Sequence, residues 1–153
     1  MTVIVVAGEK TGSGASTVAV GISLVAAQRG LDVSIRRLGS DDSATQDAFG
    51  FAQVLSSQID SGEGLPLEMS ALPALGNQVN VVEVDASQIS ASAESVPTSK
   101  IVWVNEGVTN EAAFWNLTNR SKSSGDRSII EDRVLAAPTV AELIEAANAS
   151  PLS

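Results

Sequence analysis

The 153-residue chain contains no cysteine, no histidine and no tyrosine. Without cysteine it cannot build a disulfide, a thiolate zinc site or an iron–sulfur centre from its own side chains. Without histidine it lacks the commonest metal ligand and the side chain that most often serves as a general base near neutral pH. These absences exclude a large part of ordinary enzyme chemistry.

Basic and aromatic residues are also scarce. The chain has 9 Lys and Arg residues against 18 Asp and Glu residues, which gives a formal charge of −9, and 3% of its residues are aromatic. Because nucleic acids and anionic membranes are bound through clustered cations and stacked bases need aromatic rings, we expect neither partner. No apolar run approaches the ~18 residues of a membrane span, and no basic, apolar leader begins the sequence, so we expect a soluble cytoplasmic protein.

Apolar runs alternate with segments of helical periodicity, and this alternation is typical of repeated β-α units. The predicted strands are residues 2–7, 32–38, 79–85 and 100–104, and the predicted helices are residues 16–29, 43–57 and 138–148. Residues 59–77 are interpreted as a connection with a short helix near 70–75, and residues 112–118 form either helix or strand. We therefore predict one α/β domain, residues 1–153, with helices on both faces of a mainly parallel sheet.

A glycine-rich segment, residues 8–17 with the sequence GEKTGSGAST, lies between the first predicted strand and the first predicted helix. Its glycines permit backbone conformations that turn successive N–H groups inwards, and the following helix adds the positive end of its dipole. Such a cradle binds anions, phosphate groups above all. The predicted nucleotide-binding residues are Gly12, Ser13, Gly14, Ala15, Ser16 and Thr17. The hydroxyl of Ser16 is also a predicted Mg²⁺ ligand.

The segment departs at two positions from the phosphate-loop pattern G-x-x-x-x-G-K-[ST]. Glu9 stands at the first glycine, with Gly8 beside it, and Ala15 stands at the lysine. Since that lysine neutralises the β- and γ-phosphates, the sequence predicts weakened nucleotide binding and impaired hydrolysis. Lys10 is a candidate substitute. Two alternatives stay open, namely an artificial replacement of a lysine at position 15 and a loop that only makes a tight turn and binds nothing.

The segments VVAGEKTGSGAST and AQRGLDVSIRRLG carry a strand, a phosphate loop, a helix, a glycine and a second strand in that order. This order resembles the dethiobiotin synthetase branch of the P-loop NTPases, which includes cobyrinic acid a,c-diamide synthase, the ParA/MinD-type ATPases and the N-terminal domain of some phosphate acetyltransferases. The resemblance covers nearly the whole chain. It implies a three-layer αβα fold of the P-loop NTPase type, with ATP and Mg²⁺ as ligands.

The resemblance also implies roles for residues outside the loop. NVVEVDAS is similar to the Walker B-like strand of the branch, which places Asp85 at the acidic position near Mg²⁺ and Glu83 one pleat away. FWNLTNR is similar to the strand on the base side of the nucleotide and places Asn119 near an adenine. Lys10 corresponds to the lysine of the deviant Walker loop, which reaches the phosphates of a partner across a dimer. Lys10 and Asp85 are therefore the candidate catalytic residues.

Acidic pairs and aromatic residues have interpretations that need no ligand. Asp41 and Asp42 follow the second predicted strand, where related ATPases place switch carboxylates, but a helix N-cap explains the pair equally well. The segment SIIEDRVLAAPTVAELIEA resembles the closing turn and helix of the phosphate acetyltransferase relatives, so Glu131 and Asp132 are expected to form a turn. The aromatic residues lie in apolar runs, which predicts core packing, with a partner interface as the alternative for Phe51. They are Trp103, Trp115, Phe49, Phe51 and Phe114.

The leading prediction is a P-loop domain with weak or absent NTPase activity that acts as a regulatory or assembly module through a protein partner or a homodimer. One alternative is an ATP-dependent ligase of the dethiobiotin synthetase type, with Ser16 and Asp85 as Mg²⁺ ligands. Another is a ParA/MinD-type ATPase that dimerises on nucleotide. In each case a doubly wound sheet places the ligand beyond the carboxyl ends of its strands, near residues 12–17, Asp85 and residues 105–109.

Overall fold

Strand β1 (Thr2–Gly8) lies inside a six-stranded parallel sheet in the computed structural model, which describes residues 2–10, 12–55 and 58–118. The other strands are β2 (Val33–Arg37), β3 (Ile59–Asp60), β4 (Val79–Val84), β5 (Lys100–Asn105) and β6 (Trp115–Thr118). Their order across the sheet is β3-β2-β4-β1-β5-β6, and every neighbouring pair is parallel. β1 is therefore flanked on both sides, as its unbroken apolar sequence predicts.

Within the described residues, three α-helices connect these strands: α1 (Ala15–Gln28), α2 (Asp42–Val54) and α3 (Ile89–Ser95). α1 and α2 pack on one face of the sheet, whereas α3 and a 3₁₀ segment (Met69–Ala74) pack on the other. This arrangement confirms the predicted three-layer α/β fold with a parallel sheet. None of the helices in the described ranges has the length and apolar character that a membrane span requires.

Two hydrophobic clusters hold these layers together. Alternate residues of β1 point to opposite faces, so Ile4 packs against α1 and α2 while Val5 packs towards Leu72 of the 3₁₀ segment. Ile22 of α1 and Leu72 are fully buried. Since burying one such side chain contributes roughly 1.5–3 kcal/mol, both faces fix the sheet and the helices as one rigid support for the loops at the strand ends.

The sheet reverses its direction of winding beside β1. The connection through α1 leads from β1 towards β2, while the connection through α3 leads from β4 past β1 to β5. Because the two crossovers pass on opposite faces, a crevice opens at the carboxyl ends of β1 and β4. The glycine-rich loop after β1 lies in this crevice.

Several element boundaries differ from the sequence-based prediction. Residues 112–118, left open between helix and strand, contain strand β6, and the segment between β4 and β5 contains the short helix α3. The connection over residues 59–77 includes the two-residue strand β3 and a 3₁₀ segment where a short helix was expected. The predicted helix 138–148 and the turn at Glu131 and Asp132 lie outside the described residues.

The aromatic residues divide between core and surface. Trp103 and Phe51 are buried, so the prediction of core packing is confirmed for both and the alternative of an exposed Phe51 is wrong. Phe49 and Phe114 are 57% and 46% exposed, which contradicts the core prediction for these two. Phe49 lies on the solvent side of α2, and the ring of Phe114 instead stacks under Lys100, whose Nζ is 5.2 Å from the ring centroid.

Candidate phosphate-binding site

The loop between β1 and α1 is closed by its own hydrogen bonds. The Ser13 N–H donates to the Lys10 carbonyl at 3.1 Å, and the Ser13 hydroxyl accepts from the Lys10 N–H at 3.1 Å. Gly12 and Gly14 have φ values of 84° and 102°, in the left-handed region that favours glycine. The sequence therefore specifies this conformation through the two glycines and Ser13.

The start of α1 presents free backbone donors to the cavity. The Gly14 carbonyl already accepts from the Val18 N–H at 3.1 Å, but among the described residues no acceptor is found for the N–H groups of residues 14–17. Unpaired N–H groups at a helix start attract anions through hydrogen bonds and the helix dipole. They border a cavity of about 440 Å³, which Gly12, Ser13, Gly14, Ala15, Ser16 and Thr17 all line as predicted.

A buried carboxyl group forms the floor of this cavity beneath the helix start. The Ser16 hydroxyl donates to Oε1 of Glu83 at 2.7 Å, and Glu83 lies opposite Val6 in the sheet, on the face that carries α1. Burial raises the pKa of Glu83 from its ordinary value of 4.5 to about 7, although the Ser16 hydrogen bond acts in the opposite direction. Glu83 is thus the acidic residue that directly contacts the predicted Mg²⁺ ligand Ser16.

A buried guanidinium group lies next to Glu83 on the same floor. Arg37 stands opposite Glu83 in the sheet, its Nε contacts Oδ2 of Asp47 at 3.0 Å, and its Nη2 contacts Oδ1 of Asp85 at 2.7 Å. Its Nη1 donates to the Leu38 carbonyl at 2.7 Å. Burial alone lowers the pKa of Arg37, but the hydrogen bonds to the two aspartates outweigh it and raise the pKa above its ordinary value.

The two candidate catalytic residues therefore have partners within the chain. Asp85 lines the cavity, and its carboxylate pairs with Arg37. Its backbone is fixed by Gln88, whose N–H donates to the Asp85 carbonyl at 2.8 Å and whose Oε1 accepts from the Asp85 N–H at 2.9 Å. Lys10 also lines the cavity, with its side chain 63% exposed and its Nζ 3.4 Å from Oε2 of Glu106. The structure thus brings Lys10, Asp85 and the loop to one cavity, but places Glu83, and not Asp85, in contact with Ser16.

The segment after β5 is hydrogen-bonded to the beginning of the glycine-rich loop. Oε1 of Glu9 accepts from the N–H of Glu106 at 3.3 Å and from the N–H of Val108 at 2.9 Å. The indole N–H of Trp103 donates to the Val108 carbonyl at 2.7 Å. Residues 105–109 were expected near the ligand. They contact the loop through Glu9, but in the described part of the chain they do not line the cavity. Asn119 lies outside the described residues.

Charged side chains give the cavity a negative balance. Its lining includes four carboxylates and two cations: Glu9, Asp47, Glu83, Asp85, Lys10 and Arg37. Within the described part of the chain, no cluster of three acidic, histidine or cysteine side chains is suited to a metal ion. The residues fit Mg²⁺ only in the way that phosphate sites commonly hold it, with one hydroxyl and one carboxylate, here Ser16 and Glu83, and the remaining ligands from phosphate and water.

Sequence reasoning missed the closest contacts of the floor. Glu83 lies in β4 and Asp85 is the first residue after it, and the sequence similarity favoured Asp85. Strand alternation alone could not distinguish them, because two residues apart they point to the same side. Which of them contacts Ser16 depends on where α1 begins relative to the end of β4. Arg37 and Asp47 were not considered as site residues. Their one signal is an arginine at an inward-facing position of an apolar strand, which requires a buried partner.

No protein-family model matches the chain, and no curated protein matches it by sequence. Among solved structures, the chain is similar to a mutant of the APS kinase CysC of Mycobacterium tuberculosis. The two share 16% sequence identity with a TM-score of 0.46, over 95% of this chain and 99% of that one. A likeness of this size identifies neither a ligand nor a reaction, so both have to be argued from the residues of the cavity.

Proposed function

We propose that this chain is a P-loop domain that binds the phosphate groups of a Mg²⁺-bound nucleotide weakly, hydrolyses it slowly or not at all, and acts as a regulatory or assembly module. One observation carries the proposal. The free N–H groups of residues 14–17 form an anion cradle at the start of α1, but Ala15 offers no ammonium group to it. The two cations of the cavity, Lys10 and Arg37, are each held by carboxylates.

The size of the missing interaction supports weak binding. Two unit charges 4 Å apart attract by roughly 4 kcal/mol at the effective dielectric constant of a protein surface. Every 1.4 kcal/mol corresponds to about a tenfold change in affinity, so this attraction sets an upper limit of about three orders of magnitude on the affinity lost with one ammonium contact. The carboxylates of Glu9, Asp47 and Asp85 add repulsion. The N–H cradle alone therefore supports association but not tight association.

Mg²⁺ would be held by Ser16 and Glu83 together with phosphate oxygens of the ligand, and it would neutralise part of the phosphate charge. Glu83 is the residue of this floor that would take up or release a proton near neutral pH. Its carboxyl group is half protonated near pH 7 without a ligand, and a cation beside it favours the ionised form. Ser16 then keeps its hydroxyl directed at the cavity by donating to that carboxylate at 2.7 Å.

The regulatory part of the proposal follows from the first part. A site that holds a nucleotide without turning it over affects other molecules only through the conformation or contacts of its own chain. The phosphate loop is joined through Glu9 to the segment after β5 and through Ser16 and Glu83 to β4. A ligand bound to the loop would therefore act on two other parts of the fold, the segment after β5 and the carboxyl end of β4.

The test is a calorimetric titration of Mg·ATP and Mg·ADP into the parent chain and into Ala15→Lys, with phosphate release measured on the same samples. We expect Ala15→Lys to bind at least about tenfold more tightly than the parent, because it restores one charged contact. Ala15→Met is the matched control, since it adds a side chain of similar length without charge. The parent is expected to release no phosphate above the uncatalysed background.

Two results would contradict the proposal in different ways. Micromolar binding with steady turnover by the parent chain would favour the ATP-dependent ligase or ATPase alternatives. No binding by the parent, by Ala15→Lys or by Ala15→Met would mean that the glycine loop only makes a turn between β1 and α1.

A further inference from the structure

Arg37 is a cation that faces the phosphate cradle yet is almost removed from water. Its side chain is 3% exposed, while the side chains of its partners Asp47 and Asp85 are 32% and 49% exposed. Each of its three nitrogens has a contact within the protein. The carboxylates thus lie towards the mouth of the cavity, and the guanidinium lies behind them.

The sheet register keeps Arg37 close to the start of α1. Arg37 is paired with Glu83 on the neighbouring strand, and Glu83 accepts the hydroxyl hydrogen of Ser16 in the first turn of the helix. Arg37, Glu83 and Ser16 therefore line the same cavity as the free N–H groups of residues 14–17. A polyphosphate bound to those N–H groups would enter the region between the cradle and the two aspartates.

We propose that Arg37 is the cation of this phosphate site in place of the missing lysine, and that Asp47 and Asp85 compete with phosphate for its N–H donors. The inference deepens the proposed function and rests on it. A guanidinium binds carboxylate and phosphate through the same fork of donors, so either anion satisfies it. Phosphate affinity is then limited by internal carboxylates as well as by the absence of a lysine.

This arrangement has a consequence opposite to that of an ordinary ligand-binding aspartate. Removing the charge of Asp85 or Asp47 should strengthen phosphate binding. The Arg37 guanidinium then gives up a neutral side chain, and not a carboxylate, when it binds the charged phosphate. Asparagine is the suitable replacement, since its carbonyl oxygen still accepts a hydrogen bond and leaves no buried donor without a partner. It also keeps the two hydrogen bonds with Gln88, because these use the backbone of residue 85 and not its side chain.

The experiment titrates inorganic pyrophosphate into the full chain by calorimetry, with EDTA present so that no Mg²⁺ contributes. For Asp85→Asn we expect binding about tenfold tighter than for the parent, the size of one charge-assisted hydrogen bond released to the ligand. Asp47→Asn should act in the same direction and serves as the second variant if the first does not fold. Asp60→Asn is the matched control. Asp60 pairs at 3.1 Å with Arg36, the neighbour of Arg37 on β2, and lies outside the cavity lining.

A double variant separates release of Arg37 from simple loss of repulsion. In Arg37→Gln combined with Asp85→Asn, checked for folding by circular dichroism, the gain in pyrophosphate affinity should disappear. An equal gain in the single and double variants would overturn the proposal, since the aspartate would then act by repulsion alone. An equal gain in Asp60→Asn would overturn it as well.

Ala15→Lys, titrated in parallel, distinguishes failure of this inference from failure of the proposed function. If Ala15→Lys binds pyrophosphate while Asp85→Asn and Asp47→Asn bind no better than the parent, the loop is a phosphate site and Arg37 is not its cation. If no variant binds, the loop holds no phosphate and both proposals fall.

Discussion

Glu83 is a carboxyl group that the fold keeps away from water while supplying it with one hydrogen-bond donor, Ser16. The burial cost exceeds the benefit of that hydrogen bond, so its pKa is raised to about 7. Between the ordinary pKa of a glutamate and pH 7, the folded chain holds a proton at Glu83 that the unfolded chain has already lost. This group therefore destabilises the folded state as the pH rises through that interval, and its cost is constant above pH 7.

Glu83→Gln should remove this pH dependence. The difference in unfolding free energy between variant and parent should shift in favour of the variant by about 3 kcal/mol between pH 4.5 and 7.5, the value of a pKa displacement of this size. Urea denaturation at several pH values without Mg²⁺ measures it. Glu94→Gln, which removes a surface carboxylate from α3, is the matched control. A difference that stays flat across the interval would show that Glu83 is ionised in the folded protein.

At the scale of residues, the sequence predicted the loop better than the floor. Gly12, Gly14 and Ser16 follow from local backbone geometry, which a short motif encodes. The pairing of Ser16 with Glu83 and of Arg37 with Asp47 joins residues far apart in the chain. Such pairs depend on strand order and register, and a single sequence states neither of them directly.

Helix α2 shows how one acidic pair divides its roles at the scale of an element. The carboxylate of Asp41 accepts from the Ala44 N–H at 2.8 Å, so the capping interpretation of this residue is confirmed. Asp42 is the first residue of the helix and acts there through its charge. α2 thereby begins at a defined position, which in turn fixes where Asp47 meets Arg37.

Asp41→Ala should lower the unfolding free energy by about 1 kcal/mol, because it removes an N-cap hydrogen bond. Asp42→Ala is the matched control and should cost less, since it removes only an interaction with the helix dipole. Thermal or urea denaturation measures both. Pyrophosphate affinity should change less than about twofold in either variant. A large loss of phosphate binding in Asp41→Ala with little change in stability would instead favour a switch carboxylate.

Long, periodic elements could be predicted from the sequence, whereas short ones could not. Six elements have enough apolar residues, spaced at the period of a strand or of a helix, to be recognised from the sequence. They are β1, β2, β4, β5, α1 and α2. β3 has only two residues, and α3 lies in a Ser/Ala-rich segment with little hydrophobic pattern. Both are stabilised by packing against neighbours that come from other parts of the chain. Their formation is a tertiary effect, which local pattern does not reveal.

The whole chain has a formal charge of −9, and self-association has to occur against this charge. The ParA/MinD-type alternative predicted that Lys10 reaches the phosphates of a partner across a dimer. Here the Lys10 ammonium pairs with Glu106 of its own chain. The contact competes with any role of that ammonium across a dimer.

We therefore expect Lys10→Ala to leave the sedimentation coefficient of the chain unchanged, with or without Mg·ATP, relative to the parent. The half-buried Lys100 lies on β5 away from the cavity lining and provides Lys100→Ala as a matched loss of charge. A nucleotide-dependent dimer of the parent that Lys10→Ala abolishes and Lys100→Ala retains would support the dimerising ATPase alternative.

The open N–H groups at the start of α1 also have a meaning in terms of hydrogen exchange. An amide proton exchanges with solvent according to whether it is hydrogen-bonded, so a firmly held but unbonded amide exchanges quickly. Residues 14–17 should thus lose their label early, beside a central strand whose amides exchange only when the molecule opens. A bound phosphate would protect them selectively. The exchange rates of these amides would therefore report whether a phosphate is bound, measured against the slowly exchanging amides of the neighbouring strand.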